Sequence, residues 1–266
     1  MVTVSETRWG SPTASKTAVL LHGLTSASPS WFRVAQGLVD AGYYVIAPDL
    51  IGHGHAARPT DYSIDSFVSH LRPQLDGLSA PLDLLVGHSL GGRLAVALQL
   101  KPKRMVLLDP VLEVEAGDIE GFRKALTAEV RNPATVEQYL VDNPKWSKED
   151  AAIKVAGAIL CSPEAVEGVC DTNLPFGVTH LLPPPSTEGS SSPTEIIILG
   201  ADLSLGPCFT LAEARALAKS HPEIKTAFVE GASHSIHREA VDVVLEVLLS
   251  GSVKGKGLLA TEDVKA

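Results

Sequence analysis

The hexapeptide Gly87-His88-Ser89-Leu90-Gly91-Gly92 carries the sharpest chemical signal in this 266-residue chain. The apolar run LDLLV leads into it, and the helix-like LGGRLAVALQL leads away. A serine on so tight a strand-to-helix turn tolerates only small neighbours. Gly87 and Gly91 supply the room, and the turn lifts the hydroxyl above the sheet. The Leu90 amide, at the helix N-terminus, then faces the place where an oxyanion develops. Attack by Ser89 on a carbonyl is the chemistry this spacing suits. A plain turn serine beside packing glycines is the alternative, and the flanking strand and helix weigh against it.

Such a serine needs a base, an acid to orient the base, and a second oxyanion donor. The donor is suggested by LLHGLTS at 20–26, where His22-Gly23 ends a strand and leaves the Leu24 amide free to turn inward. For the acid, the chain order Ser, acid, His requires a carboxylate after 89 at the end of a strand. Asp202, after EIIILGA, is the first choice; Asp109, after RMVLL, is the runner-up, because Asp109-Pro110 also reads as a strand-ending turn. Asp49 precedes the serine and reads as a turn residue. Nine histidines compete for the base. His234 lies in a Gly-Ala-Ser-His loop after the strand-like IKTAFVE, whereas His237, a helical turn further on, packs or caps. His53 and His55 have an HxH spacing but no third ligand pattern, so no metal site is expected.

Short β-branched or Leu-rich runs must position these residues. They occur at 17–21, 43–47, 82–86, 104–108, 195–199 and 224–229, with a possible edge strand at 2–8. None alternates strictly, as befits strands covered on both faces. Helical patterns fill the gaps at 30–41, 65–77, 90–100, 210–220 and 236–249, the signature of a parallel sheet wound by helices. The spacing breaks once. Between 108 and 195 only short helices are legible, at 119–130, 134–142, 148–160 and 163–170, followed by the Pro/Ser/Gly linker LPPPSTEGSSSP. This reads as a helical cap inserted over the sheet, giving a core of 1–112 and 190–266 and a cap with linker at 113–189. The tail after 249 reads as a frayed terminus.

HG after the first long strand, PDLIGHGHA at 48–56, GHSLGG at the elbow and GASHSIHRE at 231–239 occur in one order. In that order the chain resembles the α/β-hydrolase superfamily over nearly its whole length. The resemblance implies a mostly parallel, eight-stranded α/β sheet with helices on both faces and an inserted helical cap. It also places the catalytic histidine at His234. The loop Leu199-Gly200-Ala201-Asp202 is one residue shorter than the Gly-x-x-Asp of many relatives. Relatives that attack through an aspartate open epoxides or remove halides; the serine here argues against both.

Composition narrows the rest. A net charge of −9 argues against nucleic acid. The chain shows no secretory leader and no apolar run of about 18 residues, so no membrane span is expected. Three cysteines without CxxC spacing suit a reducing, cytoplasmic setting. Segment 113–182 holds twelve acidic residues against six Lys or Arg, a poor home for multiply anionic ligands. Arg93 is expected at the surface, and Tyr139, Leu140, Trp146 and Phe176 are candidates for an apolar pocket wall. The expectation is a monomeric or homodimeric, cofactor-free serine hydrolase acting on a small molecule, a neutral, moderately hydrophobic ester or lactone. Carbon–carbon hydrolysis or a cofactor-free lyase reaction on the same residues, and a ligand receptor with vestigial turnover, are the alternatives.

Overall fold

The structure, a computed structural model, describes residues 5–78, 82–114, 119–173, 176–183 and 194–264. Most of the linker and the first residues of the 2–8 strand lie outside them.

Eight strands form one sheet. In chain order they are β1 (Glu6–Trp9), β2 (Lys16–Leu21), β3 (Tyr43–Pro48), β4 (Leu84–His88), β5 (Arg104–Leu108), then β8 (Glu195–Gly200), β9 (Lys225–Val229) and β10 (Leu258–Ala260), with a separate two-stranded antiparallel pair of β6 (Glu113–Val114) and β7 (Phe176–Gly177) between. The spatial order is β1-β3-β2-β4-β5-β8-β9-β10. The inner strands pair in parallel, and β1 and β10 close the two edges antiparallel to β3 and β9. The tail is therefore not frayed at 258–260: it pairs with β9 and supplies the last strand.

Each inner strand is apolar on both faces because each face is roofed by helices. Ala18, Leu20, Val86 and Leu108 pack with Val34 and Leu38 of α1 (Phe32–Asp40) and Val244 and Leu248 of α10 (Val241–Ser250). Their neighbours Val19, Leu21, Leu85 and Leu107 point the other way. They meet Phe67 and Leu71 of α2 (Ile64–Leu75), Leu94 of α3 (Leu90–Ala97) and Leu217 of α8 (Leu211–Ser220).

Four helices fill the long gap after β5: α4 (Ile119–Arg131), α5 (Val136–Asp142), α6 (Lys148–Ile159) and α7 (Pro163–Thr172). Their starts are set locally. Thr135 and Ser162 accept backbone amides as N-caps, and Ser147 forms a reciprocal capping box with Asp150. This helical insertion rests on loops at the carboxyl ends of the strands. The Ser162 amide donates to the Gly52 carbonyl at 2.8 Å, and Arg58 reaches the Leu160 carbonyl at 2.8 Å. The antiparallel β6–β7 pair, which the sequence did not suggest, joins the two ends of the insertion.

Candidate active site

Ser89 occupies the bend between β4 and α3 with φ 53° and ψ −118°. A non-glycine residue stays in that region only when its surroundings over-determine it. The surroundings are tight backbone: a Cβ on Gly91 would collide with the Leu21 carbonyl, and one on Gly87 with the Gly91 carbonyl. The main chain at Ser89 is pinned on both sides, its amide donating to the Leu108 carbonyl at 3.1 Å and its carbonyl accepting from Gly92. Among the described residues the Ser89 hydroxyl has no hydrogen-bond partner.

His234 lies beyond β9, at the start of the loop before α9 (Ile236–Glu239). Its Nδ1 donates to Asp109 Oδ2 at 2.6 Å. The elbow is tied to it through His88, whose Nε2 donates to the His234 carbonyl at 2.8 Å and whose ring centroid stands 4.6 Å from the His234 ring. His237 continues the stack, 4.5 Å from His88 and 4.9 Å from Trp31, so it packs as expected.

The orienting acid is where the first choice fails. Asp202 does not touch His234. Its Oδ1 accepts from the Ser204 amide and hydroxyl at 2.8 and 2.6 Å, and its Oδ2 from the Gly231 amide at 2.5 Å. That carboxylate caps a short 3-10 turn and steadies the histidine loop from outside. Asp109, the runner-up, is fully buried. Beyond His234 it accepts three main-chain amides: Ala201 at 3.2 Å and Phe209 at 3.1 Å on Oδ1, and Cys208 at 3.1 Å on Oδ2. It too has a positive φ, 41°, which turns the end of β5 under the loop after β8. Burial alone works against a charged His234. Hydrogen bonds to Asp109 and Cys208, with their charge, outweigh it and raise the imidazole's pKa above its ordinary value.

Cys208, half-buried, is one of the three cysteines whose spacing pointed to incidental thiols, neither a disulfide framework nor a metal site. Its ligand atom and one each from Asp109 and His234 all lie within 4.8 Å of one another. No spacing motif marks it, because the three residues come from three separate loops. By contrast, His53 and His55 do not pair as ligands. His53 is buried, donating Nδ1 to the Ile51 carbonyl at 2.9 Å and accepting the Thr25 amide on Nε2 at 3.2 Å.

On the opposite side of Ser89, the loop after β2 brings Gly23 against the elbow: a Cβ there would stand 3.0 Å from both His88 Nδ1 and Ser89 Cβ. The Leu24 and Leu90 amides, the expected oxyanion donors, have no protein acceptor among the described residues. A narrow cavity of about 20 Å³ opens beside Ser89, lined by Leu24, Leu90, Arg93, Val111, Phe122 and Val169. Arg93 is thus not on the surface. It is 2% exposed, and burial, partly offset by Glu113, draws its pKa down to about 10.

The predicted pocket wall lies elsewhere. Tyr139 and Trp146 stack on each other, ring centroids 5.8 Å apart, and turn their polar ends to carboxylates: Tyr139 OH to Glu129 at 2.7 Å, Trp146 Nε1 to Glu239 at 3.1 Å. Both carry a donor that must be satisfied when buried, which decides where they pack. Leu140 does not line the cavity either, and the Phe176 side chain lies outside the described residues. The walls that do face Ser89 are Phe122 from α4 and Val169 from α7.

The sequence profile of the alpha/beta hydrolase family matches residues 18–247. The chain belongs to that family. A lipase of Mycobacterium tuberculosis, LipV, is 33% identical over 127 residues, covering 46% of this chain and 47% of its own. The 2-hydroxy-6-oxo-2,4-heptadienoate hydrolase of Pseudomonas putida is 34% identical over 106 residues, covering 37% and 38%. The matched stretches span less than half of these curated relatives, and only 29% of an uncharacterized Mycobacterium bovis protein that is 37% identical over 102 residues. Among solved structures, a carboxylesterase from the thaumarchaeon Nitrososphaera gargenis superposes with a TM-score of 0.75 at 17% identity, over 94% of both chains, a likeness of fold. Among the described residues no helix of the chain is long and apolar enough to cross a membrane.

The chain also holds its Leu24 loop from above. Thr25, at φ 58°, donates its hydroxyl to Glu129 Oε2 at 3.0 Å. Lys154 of α6 donates to the Thr25 hydroxyl at 2.7 Å and its carbonyl at 3.2 Å, and pairs with Glu129. Burial opposes both charges. Lys154, Tyr139 and Thr25 nevertheless hold the Glu129 carboxyl below its ordinary range, while Lys154 is drawn down by burial against the pull of Glu129.

Proposed function

We propose that this hydrolase cleaves a neutral, moderately hydrophobic ester or lactone through an acyl-enzyme on Ser89. The observation that carries the reading is the 2.6 Å bond from His234 Nδ1 to Asp109 Oδ2, with His234 tied through its carbonyl to His88, the neighbour of Ser89 in the strained elbow. Ser89 Oγ attacks the carbonyl while His234 Nε2 takes its proton. Asp109 fixes the tautomer that leaves Nε2 free and stabilises the imidazolium that forms. The Leu24 and Leu90 amides receive the oxyanion, a contribution of about 3–4 kcal/mol per donor in such sites. The imidazolium then protonates the leaving group, and water activated by the same nitrogen frees the acid. The hydroxyl and imidazole need not be bonded beforehand, since such contacts often tighten only with substrate bound.

Residues 113–189 serve in this reading as the cap that shields the cavity, and Phe122 and Val169 favour an apolar acyl or alcohol group. The three free thiols suit a reducing, cytoplasmic setting. A fluorophosphonate probe mapped by mass spectrometry should land on Ser89 and be lost in Ser89→Ala, with turnover across an ester and lactone panel. Labelling elsewhere, or no turnover of any ester or lactone, overturns the reading.

A second reading, hydrolysis of a carbon–carbon bond in a carboxylate-bearing diketone, is favoured by Arg93 in the cavity wall. Under it, Arg93→Met raises KM for a carboxylated substrate far more than for a neutral ester.

A further inference from the structure

We propose that Asp109, Cys208 and His234 form a binding site for a thiophilic divalent cation, zinc above all, whose occupation switches the hydrolase off. Binding itself needs only the three side chains; the loss of activity rests on the function proposed above.

The geometry is close to what such an ion requires. One ligand atom from each residue lies within 4.8 Å of the other two. In a tetrahedral zinc site, bonds of about 2.0–2.3 Å put ligand atoms roughly 3.3–3.8 Å apart, so small side-chain adjustments suffice. The donor set is a thiol, an imidazole and a carboxylate. Zinc takes this combination, while magnesium and calcium seek oxygen alone. The carboxylate is already oriented by the Ala201, Phe209 and Cys208 amides, the outer support that ligating groups need. Cys208 and His234 are both reachable, the His234 side chain being 39% exposed. The other two thiols differ: Cys161 and Cys170 are buried, and burial pushes them up to about 12 and about 11.

The consequence follows from one proton. His234 now carries a hydrogen on Nδ1, donated to Asp109. A cation entering between imidazole and carboxylate takes the Nδ1 lone pair, so the ring hydrogen must sit on Nε2. Cys208 releases its thiol proton to solvent and binds as thiolate. With Nε2 protonated, the ring has no lone pair left for the Ser89 hydroxyl. A chelator reverses each step.

The test uses cobalt(II) as a spectroscopic stand-in for zinc on the full chain. Wild type and Ser89→Ala should both develop a thiolate-to-cobalt charge-transfer band that zinc displaces. Cys161→Ser and Cys170→Ser should keep it. Cys208→Ser, and Cys208→Ala as a second variant that retains the amide on Asp109, should lose it, and should need roughly 10- to 100-fold more zinc for inhibition. No band in wild type, or a band that survives in both Cys208 variants, overturns the site. A band in a protein that Ser89 probes never label leaves the metal site standing and removes the hydrolase reading. An active enzyme without the band does the reverse.

Discussion

The two sides of Ser89 are held by different means. On the His234 side, Asp109 is gripped by three main-chain amides from loops of the core. On the Leu24 side, Thr25 is gripped by side chains of the helical insertion, Lys154 and Glu129, and by His53 below. Main-chain donors survive almost any substitution; side-chain tethers do not. The placement of His234 is thus a property of the sheet, whereas the Leu24 side depends on how the insertion docks. Variants on the two sides should fail differently.

The largest effect is expected on the core side. Asp109→Asn keeps the shape but favours the wrong tautomer of His234, and loss of this interaction in comparable triads lowers kcat by about 10⁴-fold. Steady-state kinetics on any hydrolysed ester will show it, with KM little moved. A drop of less than tenfold would break the comparison at its firm end.

Next comes the tether. Lys154→Met leaves Glu129 buried without its partner, which costs about 3–5 kcal/mol of stability in comparable pairs. It also frees Thr25, and misplacement of a catalytic loop by an ångström can cost about 10²-fold in kcat. Adding Glu129→Leu removes the stranded charge. Urea unfolding should then recover most of the stability while kcat stays low, because Thr25 still lacks both anchors. Recovery of both together would mean that the ion pair only stabilises the fold.

Acid should sharpen the contrast further. Burial pulls His53 down to about 3 and also lowers His22, which accepts the Leu50 amide in the same region. The unfolded chain takes up these protons near the ordinary value of about 6.5, while the native state refuses them until far lower. Their contribution is therefore intact above about pH 6.5 and lost as the pH falls toward 3, by up to about 1.4 kcal/mol per pH unit for each histidine. A protonated His53 also cannot accept the Thr25 amide. His53→Gln should flatten the stability slope between about pH 6.5 and pH 4, measured by urea unfolding.

Much of this was legible in the sequence, and the exceptions share a cause. The strand at 104–108 agrees with β5 end for end, and the four helices of the insertion lie within two residues of their expected limits. Apolar runs and Ser/Thr caps are local signals. The strained turn at Ser89 and the loop position of His234 were legible because a tight turn and a loop after a strand also write themselves locally. Asp109 was ranked second because an Asp-Pro pair at a strand end looks the same whether it only turns the chain or also points beneath a distant loop. What distinguishes it, three amides from 201–209, is a contact over more than ninety residues. Tyr139 and Trp146 were misread because spacing reveals an aromatic but not the carboxylate its polar end will find.

The smallest effect should come from the carboxylate that the loop pattern favoured. Asp202 is held away from His234, on Ser204 and Gly231, and Asp202→Asn keeps an acceptor oxygen for one of those partners. Its pKa is lowered mainly by the Ser204 hydroxyl and the Gly231 amide, so the charge strengthens bonds that brace the loop before His234. Losing it at a half-buried position should cost no more than about 1 kcal/mol, a fall in kcat of a few-fold, through looser placement of the imidazole. The discriminating measurement is the double variant Asp109→Asn/Asp202→Asn. If Asp202 only braces the loop, its small penalty should persist or shrink once Asp109 is gone. Were Asp202 able to take over as the orienting acid, its removal in the Asp109→Asn background would instead produce a second large loss. That outcome would mean the histidine loop swings between two carboxylates, and the core side would not be the rigid one.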